Sequence, residues 1–423
     1  MRKPLFVLLL TPLLFLGCVS YRADDINIET EVYRPTDRVE RNQVFLGEKM
    51  ADRGYTPHAL GRAGLSFFNP DPQSLPYSNP AMINSFQGIA VGGAAYGGQV
   101  DAQIRIDSVS TSDVAYGATS YSRNLRLALG FAASTEDKIG FAAAYHPIRN
   151  FRFSHDISHV EYGYDTDTYR YNYDSDGGLE GGSLAMAYGD GTTGASFGFC
   201  LTYLKGSSSY SYVMDDSTSI TGFEQRDGRA TLYGGALTLS GQYIRVSEGG
   251  ERETALGLRI RPGEWIEADA VHPVFAPDRV DYFTLHYPGE FTAALKVRQK
   301  RLSFLAELGL SVPIFDYVSG FENESVSDHL KAEARGGLAA VLEGDFIQVE
   351  TGIALGKSEA TFGLGTSLFP SDKMELQFAF QSGSARGENN YTIIGGIIFR
   401  EAFAADPDHD KPETPPLKHP AEE

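Results

Sequence analysis

The feature that most constrains this chain is a period-two alternation of apolar and polar residues that recurs from about Phe86 to Arg400. In Lys373–Gln381, Met374, Leu376, Phe378 and Phe380 share one face, opposite Lys373, Glu375, Gln377 and Gln381. Glu290–Arg298 sets Phe291, Ala293, Leu295 and Val297 against Glu290, Thr292, Lys296 and Arg298. Thr254–Arg261 places Leu256, Leu258 and Ile260 against Gly257, Arg259 and Arg261. Successive side chains of a strand point to opposite faces, so repeated period two means antiparallel sheet with one face unlike the other.

The turns between these segments narrow the choice of sheet. Short ones fall at 134–138, 190–194, 247–252, 299–301, 343–345 and 370–373. Connections of variable length fall at 108–112, 149–178, 215–225, 271–279, 319–328, 356–359 and 386–389. Short and variable alternate strictly and leave fourteen segments. An even strand number with short turns at one end and longer loops at the other is how a transmembrane β-barrel is built, and segments of ~10 residues suffice to span. The expectation is an all-β, fourteen-stranded antiparallel transmembrane barrel over residues 86–400, with both termini at the short-turn end. Tyr116, Tyr121, Tyr145, Tyr203 and Tyr243 stand near strand ends, where an aromatic girdle is expected. A soluble β-sandwich lipoprotein also alternates and stays open as an alternative.

The flanking regions read differently. Residues 1–20 carry Arg2 and Lys3, then an apolar run from Leu5 to Gly17 that is too short to cross a bilayer, as in a secretory signal. Leu16-Gly17-Cys18 allows cleavage before Cys18 with lipidation there, and Cys18-Val19-Ser20 allows an ordinary peptidase site; both remain open. Residues 21–85 are polar, Pro-rich and aperiodic, and 401–423 form an acidic Pro-rich tail expected to be disordered. The abundance of Gly (46), Tyr (23) and Phe (26) fits strands and tight turns. A formal charge of −19 excludes nucleic acid as a partner, because binding phosphates needs clustered Lys and Arg. With Cys18 at the signal boundary, Cys200 has no partner for a disulfide and reads as a small lumen-facing packing residue.

Several motifs carry letters but not context. Gly189-Asp190-Gly191-Thr192-Thr193-Gly194 matches a dinucleotide loop, yet it joins two strands and reads as a hairpin turn. Gly356-Lys357-Ser358 lacks the earlier Gly of a phosphate loop, since Thr351 stands there. His155 and His159 would suit a metal only on a helix. Asp165, Asp167, Asp174 and Asp176, with Glu180, form a weak Ca²⁺ candidate whose spacing does not fit an EF-hand. Nothing pairs a nucleophile with a base, so no enzyme and no cofactor are expected.

Leu60-Gly61-Arg62-Ala63-Gly64-Leu65, the acidic step from Asp71 to Leu75 and Asn79-Pro80-Ala81 resemble the start of the FadL/TodX family of outer-membrane transporters. Asp137–Pro147 and Tyr287–Phe291 agree with later parts of that family's pattern. The resemblance implies a fourteen-stranded barrel whose N-terminal segment, here 21–85, folds inside as a hatch ending at Asn79, Pro80 and Ala81 and gates the passage. It also implies passive passage of fatty acids or other hydrophobic molecules, commonly through an opening in the wall. Implied partners are membrane lipids, a hydrophobic ligand and the barrel assembly machinery, with a monomer in the bacterial outer membrane. The tail after Phe399 and the cysteine at the signal boundary depart from the family's habit. A non-transporting barrel that scaffolds secretion or surface attachment is the alternative of the same architecture. On face parity, Arg259, Arg261, Lys296 and Arg298 are candidate lumen anchors for an anion, unless lumen acids such as Glu307 and Glu350 pair with them.

Overall fold

The computed structural model describes Glu48–Lys49 and residues 55–402, apart from 87, 108–112, 136–137, 152, 163–165, 217–222, 248, 272–279, 313–317, 320–331, 357–358 and 386–387. The signal segment with Cys18 and the tail from 403 lie outside the described residues. The strands form one antiparallel sheet closed on itself. They are β1 Gly88–Asp107, β2 Asp113–Ser134, β3 Ile139–Asn150 continued by Phe153–Tyr162, β4 Thr166–Gly189, β5 Ala195–Asp216, β6 Phe223–Val246 and β7 Arg252–Arg261 continued by Glu264–Val271. The circuit goes on through β8 Val280–His286 continued by Gly289–Gln299, β9 Leu302–Val312 continued by Val318–Ser319, β10 Glu333–Glu343, β11 Ile347–Gly356, β12 Glu359–Ser371, β13 Met374–Ala385 and β14 Glu388–Ala402. β14 pairs with β1 from Ala402↔Gly88 to Glu388↔Ala102, which closes the fourteen-stranded barrel. Closure is what lets a sheet sit in lipid, since an open edge would leave backbone N–H and C=O groups unpaired.

The usual sense of burial is inverted. On β13, Phe378 is 54% exposed while Gln377 beside it is fully buried. The outward faces carry Leu127, Leu129 and Phe131 on β2, Leu256, Leu258 and Ile260 on β7, and Leu308 and Leu310 on β9. The inward faces bury Arg259, Arg261, Glu290, Thr292, Glu350 and Glu375. Apolar residues outside and polar residues within are what a membrane barrel requires. Tyr145, Tyr203 and Tyr243 face outward as the girdle reading expects, joined by Tyr188, Phe197, Trp265 and Phe399; the side chains of Tyr116 and Tyr121 lie outside the described residues.

The short-turn end is tied by neighbouring turns. Lys138 pairs with Asp190, Glu251 with Lys300, Arg301 with Asp345 and Lys373 with Glu401. The turn 190–194 is a plain hairpin in which Asp190 Oδ1 accepts the N–H groups of Thr192 and Thr193, which holds its carboxyl well below the usual range. At the far end the barrel is lopsided. β4 and β6 each run for 24 residues against 10 for β11. With ordinary tilt, 24 residues rise about 60 Å, far more than an apolar band of about 25 Å.

One expectation is corrected here. Residues 149–178 are not a long loop: Phe153–Tyr162 pairs with β2 on one side and with Thr166–Ser175 of β4 on the other. Apolar/polar alternation lapses over this stretch although the ladder continues. His155 and His159 therefore lie on a strand, about 13 Å apart along it, not one helical turn apart. The N-terminus, expected at the short-turn end, lies outside the described residues. Glu48 and Lys49 pair antiparallel with Asn150 and Arg149 of β3, well up the lumen.

A single charge on the apolar face tests the inversion. Leu258→Arg, in mid-band, is expected to cost about 2–4 kcal/mol of folding free energy in lipid, and Phe346→Arg at the rim about 0–1 kcal/mol. Urea titration in liposomes, read by heat-dependent gel mobility, measures both.

Candidate functional site

Residues 55–86 lie inside the barrel as a compact plug: α1 Pro57–Gly61, α2 Leu75–Ser78 and a 3₁₀ turn Pro80–Ser85, with Pro near the start of each. Helices this short do not stand alone in water. The wall supplies their stability, and inward-facing glycines let it approach. A Cβ on Gly352 would lie 2.5 Å from the Arg62 carbonyl carbon. Added Cβ atoms would likewise overlap Leu60 and Ala63 from Gly363, the Phe67 ring from Gly257, the Gln73 backbone from Gly130 and the Pro80–Ala81 backbone from Gly198. These glycines leave room for a second backbone against the sheet.

The plug is bolted to that wall by buried charge. His58 Nδ1 lies 3.0 Å from Glu350 Oε1, and Nε2 lies 2.9 Å from Glu375 Oε1 and 3.7 Å from Asp71 Oδ1. Both ring nitrogens face carboxylates, so both carry protons and the ring is an imidazolium. Burial opposes that charge, but Glu350 and Asp71, with hydrogen bonds to Glu350 and Glu375, outweigh it and raise the His58 pKa to about 10. Arg62 donates to Glu350 Oε2 at 2.8 Å and to the Phe68 carbonyl at 2.8 Å. Arg400 pairs with Glu375 at 2.7 Å, and Gln377 donates to Asp71 at 2.9 Å. His58 and Arg62 thus meet three carboxylates in a nearly water-free space, which the half-buried Arg400 closes from its edge.

The Asn79-Pro80-Ala81 motif has a part in the same docking. Asn79 donates to the Phe67 carbonyl at 3.0 Å and to Gln242 of β6 at 3.1 Å. Pro80 opens the 3₁₀ turn, where a missing N–H costs nothing. Ala81 donates to Ser240 and accepts from Ser196, and its backbone lies so close to Gly198 that a side chain on that glycine has no room. Asn84 finishes the floor by donating to the Lys138 and Gly189 carbonyls, both at 2.9 Å. Cys200 is buried among Leu75, Ile83 and Ala185 as a packing residue.

The four basic candidates do not converge. Arg259 donates to the Ser78 carbonyl at 2.9 Å and pairs with Glu307, which itself accepts the N–H groups of Ser66 and Phe67 at 3.0 Å. Arg261 pairs with Glu290 and lies 4.0 Å from the centre of the Tyr77 ring. Lys296 and Arg298 sit nearer the short-turn end, both 3.0 Å from Glu253. Of the Ca²⁺ candidates, Asp165 lies outside the described residues, and Asp167, Asp174 and Asp176 lie along β4. Among the described residues no cluster of three or more His, Cys, Asp or Glu could hold a metal ion.

Above the plug the lumen turns apolar on one side. Leu179 of β4, Gly206 of β5 and Leu232 of β6 form one cross-strand row; Gly181, Leu204, Gly234 and Ile266 form the next. Bulky side chains alternate with glycines, and Ile148 of β3 lies over Gly181. Tyr55 and Tyr77 edge this patch through the His146 ring, at 4.9 and 5.0 Å. Tyr77 donates to Glu264 at 2.8 Å, and Arg149 pairs with the same carboxylate while stacking over Tyr287. Leu179, Leu204, Leu232 and Ile266 are each fully buried, so this is packed apolar interior with a few fixed polar groups at its edge.

Beside this patch the wall is interrupted. The β2–β3 ladder runs from Ser134↔Gly140 to Leu129↔Tyr145 and resumes only at Ser120↔Ser154. Pro147, which has no N–H to donate, falls in the break, where β3 also shifts register against β4. There β3 bends inward, and its freed edge pairs with Glu48–Lys49 instead of β2. Neither the buried charge cluster nor this break follows from alternation, though Glu350 and Glu375 do have the parity of the lumen face.

No protein-family model and no curated protein matches the sequence. Solved structures do match in fold. The Ralstonia pickettii toluene transporter TbuX is 12% identical with a TM-score of 0.56, covering 82% of this chain and 99% of its own. A Pseudomonas aeruginosa FadL homologue is 11% identical with a TM-score of 0.58, covering 84% and 99%. The P. putida toluene transporter TodX is 11% identical with a TM-score of 0.55, covering 84% and 100%. The chain shares the fold of these FadL- and TodX-type barrels, as its N-terminal motif implied.

Two outcomes follow from the docking of the plug. Gly198→Val or Gly130→Val should displace it and raise ion conductance in planar bilayers, where the unaltered barrel stays closed. The folded His58 pKa lies above the usual ~6.5, so its stabilisation is complete below ~6.5 and is lost as pH rises through about 10. Thermal unfolding between pH 8 and 11 should show that loss, and His58→Ala, which leaves buried carboxylates uncompensated, should cost about 3–5 kcal/mol at neutral pH.

Proposed function

We propose that this barrel carries small hydrophobic molecules across the bacterial outer membrane, passively and without a cofactor, and is not an enzyme. The observation that carries this reading is the break in the β2–β3 ladder beside the apolar lumen patch, above a plug that fills the lower lumen. An apolar solute entering at the tall mouth would leave water by parting the packed side chains around Leu204 and Leu232, both fully buried, then move sideways into lipid. The way straight down is blocked by bolted polypeptide and polar side chains, which favour neither an apolar solute nor a change of place. In this reading the tall end faces outward, the short-turn end faces the periplasm, and Asn79-Pro80-Ala81 holds the floor against which the solute turns. Arg259, Arg261, Lys296 and Arg298, each with an acidic partner, hold plug and wall in register. The fold shared with the toluene transporters TbuX and TodX is consistent with an apolar cargo.

Uptake by whole cells with an intact lipopolysaccharide surface tests the reading. Cells expressing the chain should take up labelled toluene or oleate several-fold faster than vector controls, with sucrose entry unchanged. Sucrose entry without hydrocarbon uptake would make it an aqueous pore and sink the proposal.

A further inference from the structure

Among the described residues, the side chain of Arg126 bridges the break in the wall. Arg126 stands on β2 within the stretch that lacks β3 partners. Its Nη2 donates to the Gly177 carbonyl of β4 at 2.9 Å, and its Nη1 lies 3.4 Å from Glu180 Oε1 of the same strand. The guanidinium thus reaches from β2 to β4 across the place where β3 turns inward. The Gly177 carbonyl also accepts the N–H of Phe151 at 3.2 Å, so Arg126 shares an acceptor with the displaced β3.

The seat for this group is built into β4. A Cβ on Gly178 would lie 2.5 Å from Arg126 Nη2, so any other residue there would push the guanidinium out. Gly177 has φ +134°, a conformation L side chains rarely adopt. Glu180 pairs across the ladder with Pro147, where the break begins. It also accepts the Tyr145 hydroxyl, from the last β3 residue still paired with β2. A charged group held at this height, beside the lipid-facing Leu127 and Leu129, is costly unless it does something there.

We propose that Arg126, seated on Gly177–Gly178 and held by Glu180 and Tyr145, is the latch that sets the width of the β2–β3 opening. The proposal rests on the sideways route above and assigns its size limit to one ion-paired side chain. An apolar solute must displace the guanidinium to pass, so bulk is penalised and small solutes slip by at less cost.

Uptake of toluene and of the bulkier pyrene tests this in cells expressing the full chain, with sucrose as the polar control and heat-dependent gel mobility as the measure of folding. Arg126→Ala and Gly178→Ala should each raise pyrene uptake several-fold, toluene less, and sucrose not at all. Arg126→Lys should fall between, keeping the charge without the fork. Unchanged pyrene uptake in folded variants, or a matching rise for sucrose, would overturn the latch. If Arg126→Ala does not fold, Gly178→Ala and Glu180→Gln decide, because both leave the arginine in place and only unseat it. Wild-type cells that take up neither hydrocarbon would refute the transport reading, which is distinct from a wild type that transports and variants that match it.

Discussion

The structure depends on burying His58 between Glu350 and Glu375. A helix of five residues has no stability of its own, and a barrel this wide has a lumen its wall side chains do not fill. Each solves the other's problem. The plug supplies cations and backbone donors to carboxylates that would otherwise be stranded inside, and the wall supplies a dry, glycine-lined surface for the plug. Charge is the right adhesive here, because the apolar residues are already committed to lipid on the outer face. With Arg62 also on Glu350 and Arg400 also on Glu375, His58 is the member that joins the two acids, so its loss removes the link between them.

The wall carries the second departure from a uniform barrel. A continuous ladder of backbone hydrogen bonds is impermeable, and only a defect in it can pass a solute into lipid. Pro147 makes such a defect at little cost, since it could not have donated to the ladder in any case. The inward bend of β3 then finds other partners: Glu48–Lys49 on its freed edge and β4 on the other. The backbone groups are largely re-paired, while β2 and β3 part at the level of the apolar patch. Arg126 and Glu180 occupy what would otherwise be an open seam.

The tall wall formed by β1 to β6 explains why one stretch reads poorly from sequence. Inside the membrane band every outward position must be apolar, so strands announce themselves by alternation. Above it, residues such as Asp174 and Asp176 of β4 and Ser207 of β5 are exposed on their strands. Hydrogen bonding there is just as regular, but the composition is that of a loop, and Arg149–Gly178 accordingly looks like one.

Alternation and turn chemistry by themselves determined the strand number, the antiparallel order, which residues face lipid and where nearly every turn falls, because the bilayer imposes a local, residue-by-residue rule. The parity of Arg259, Arg261, Glu350 and Glu375 as lumen residues was legible for the same reason. What only the tertiary structure decided was partnership. Arg259 holds the Ser78 carbonyl, Glu350 meets a histidine nearly three hundred positions away, and Arg126 spans two strands that are not neighbours in sequence. The inner face of a barrel obeys no single solvent, so its pairings depend on what closure brings opposite each residue, and closure joins positions that no local pattern connects.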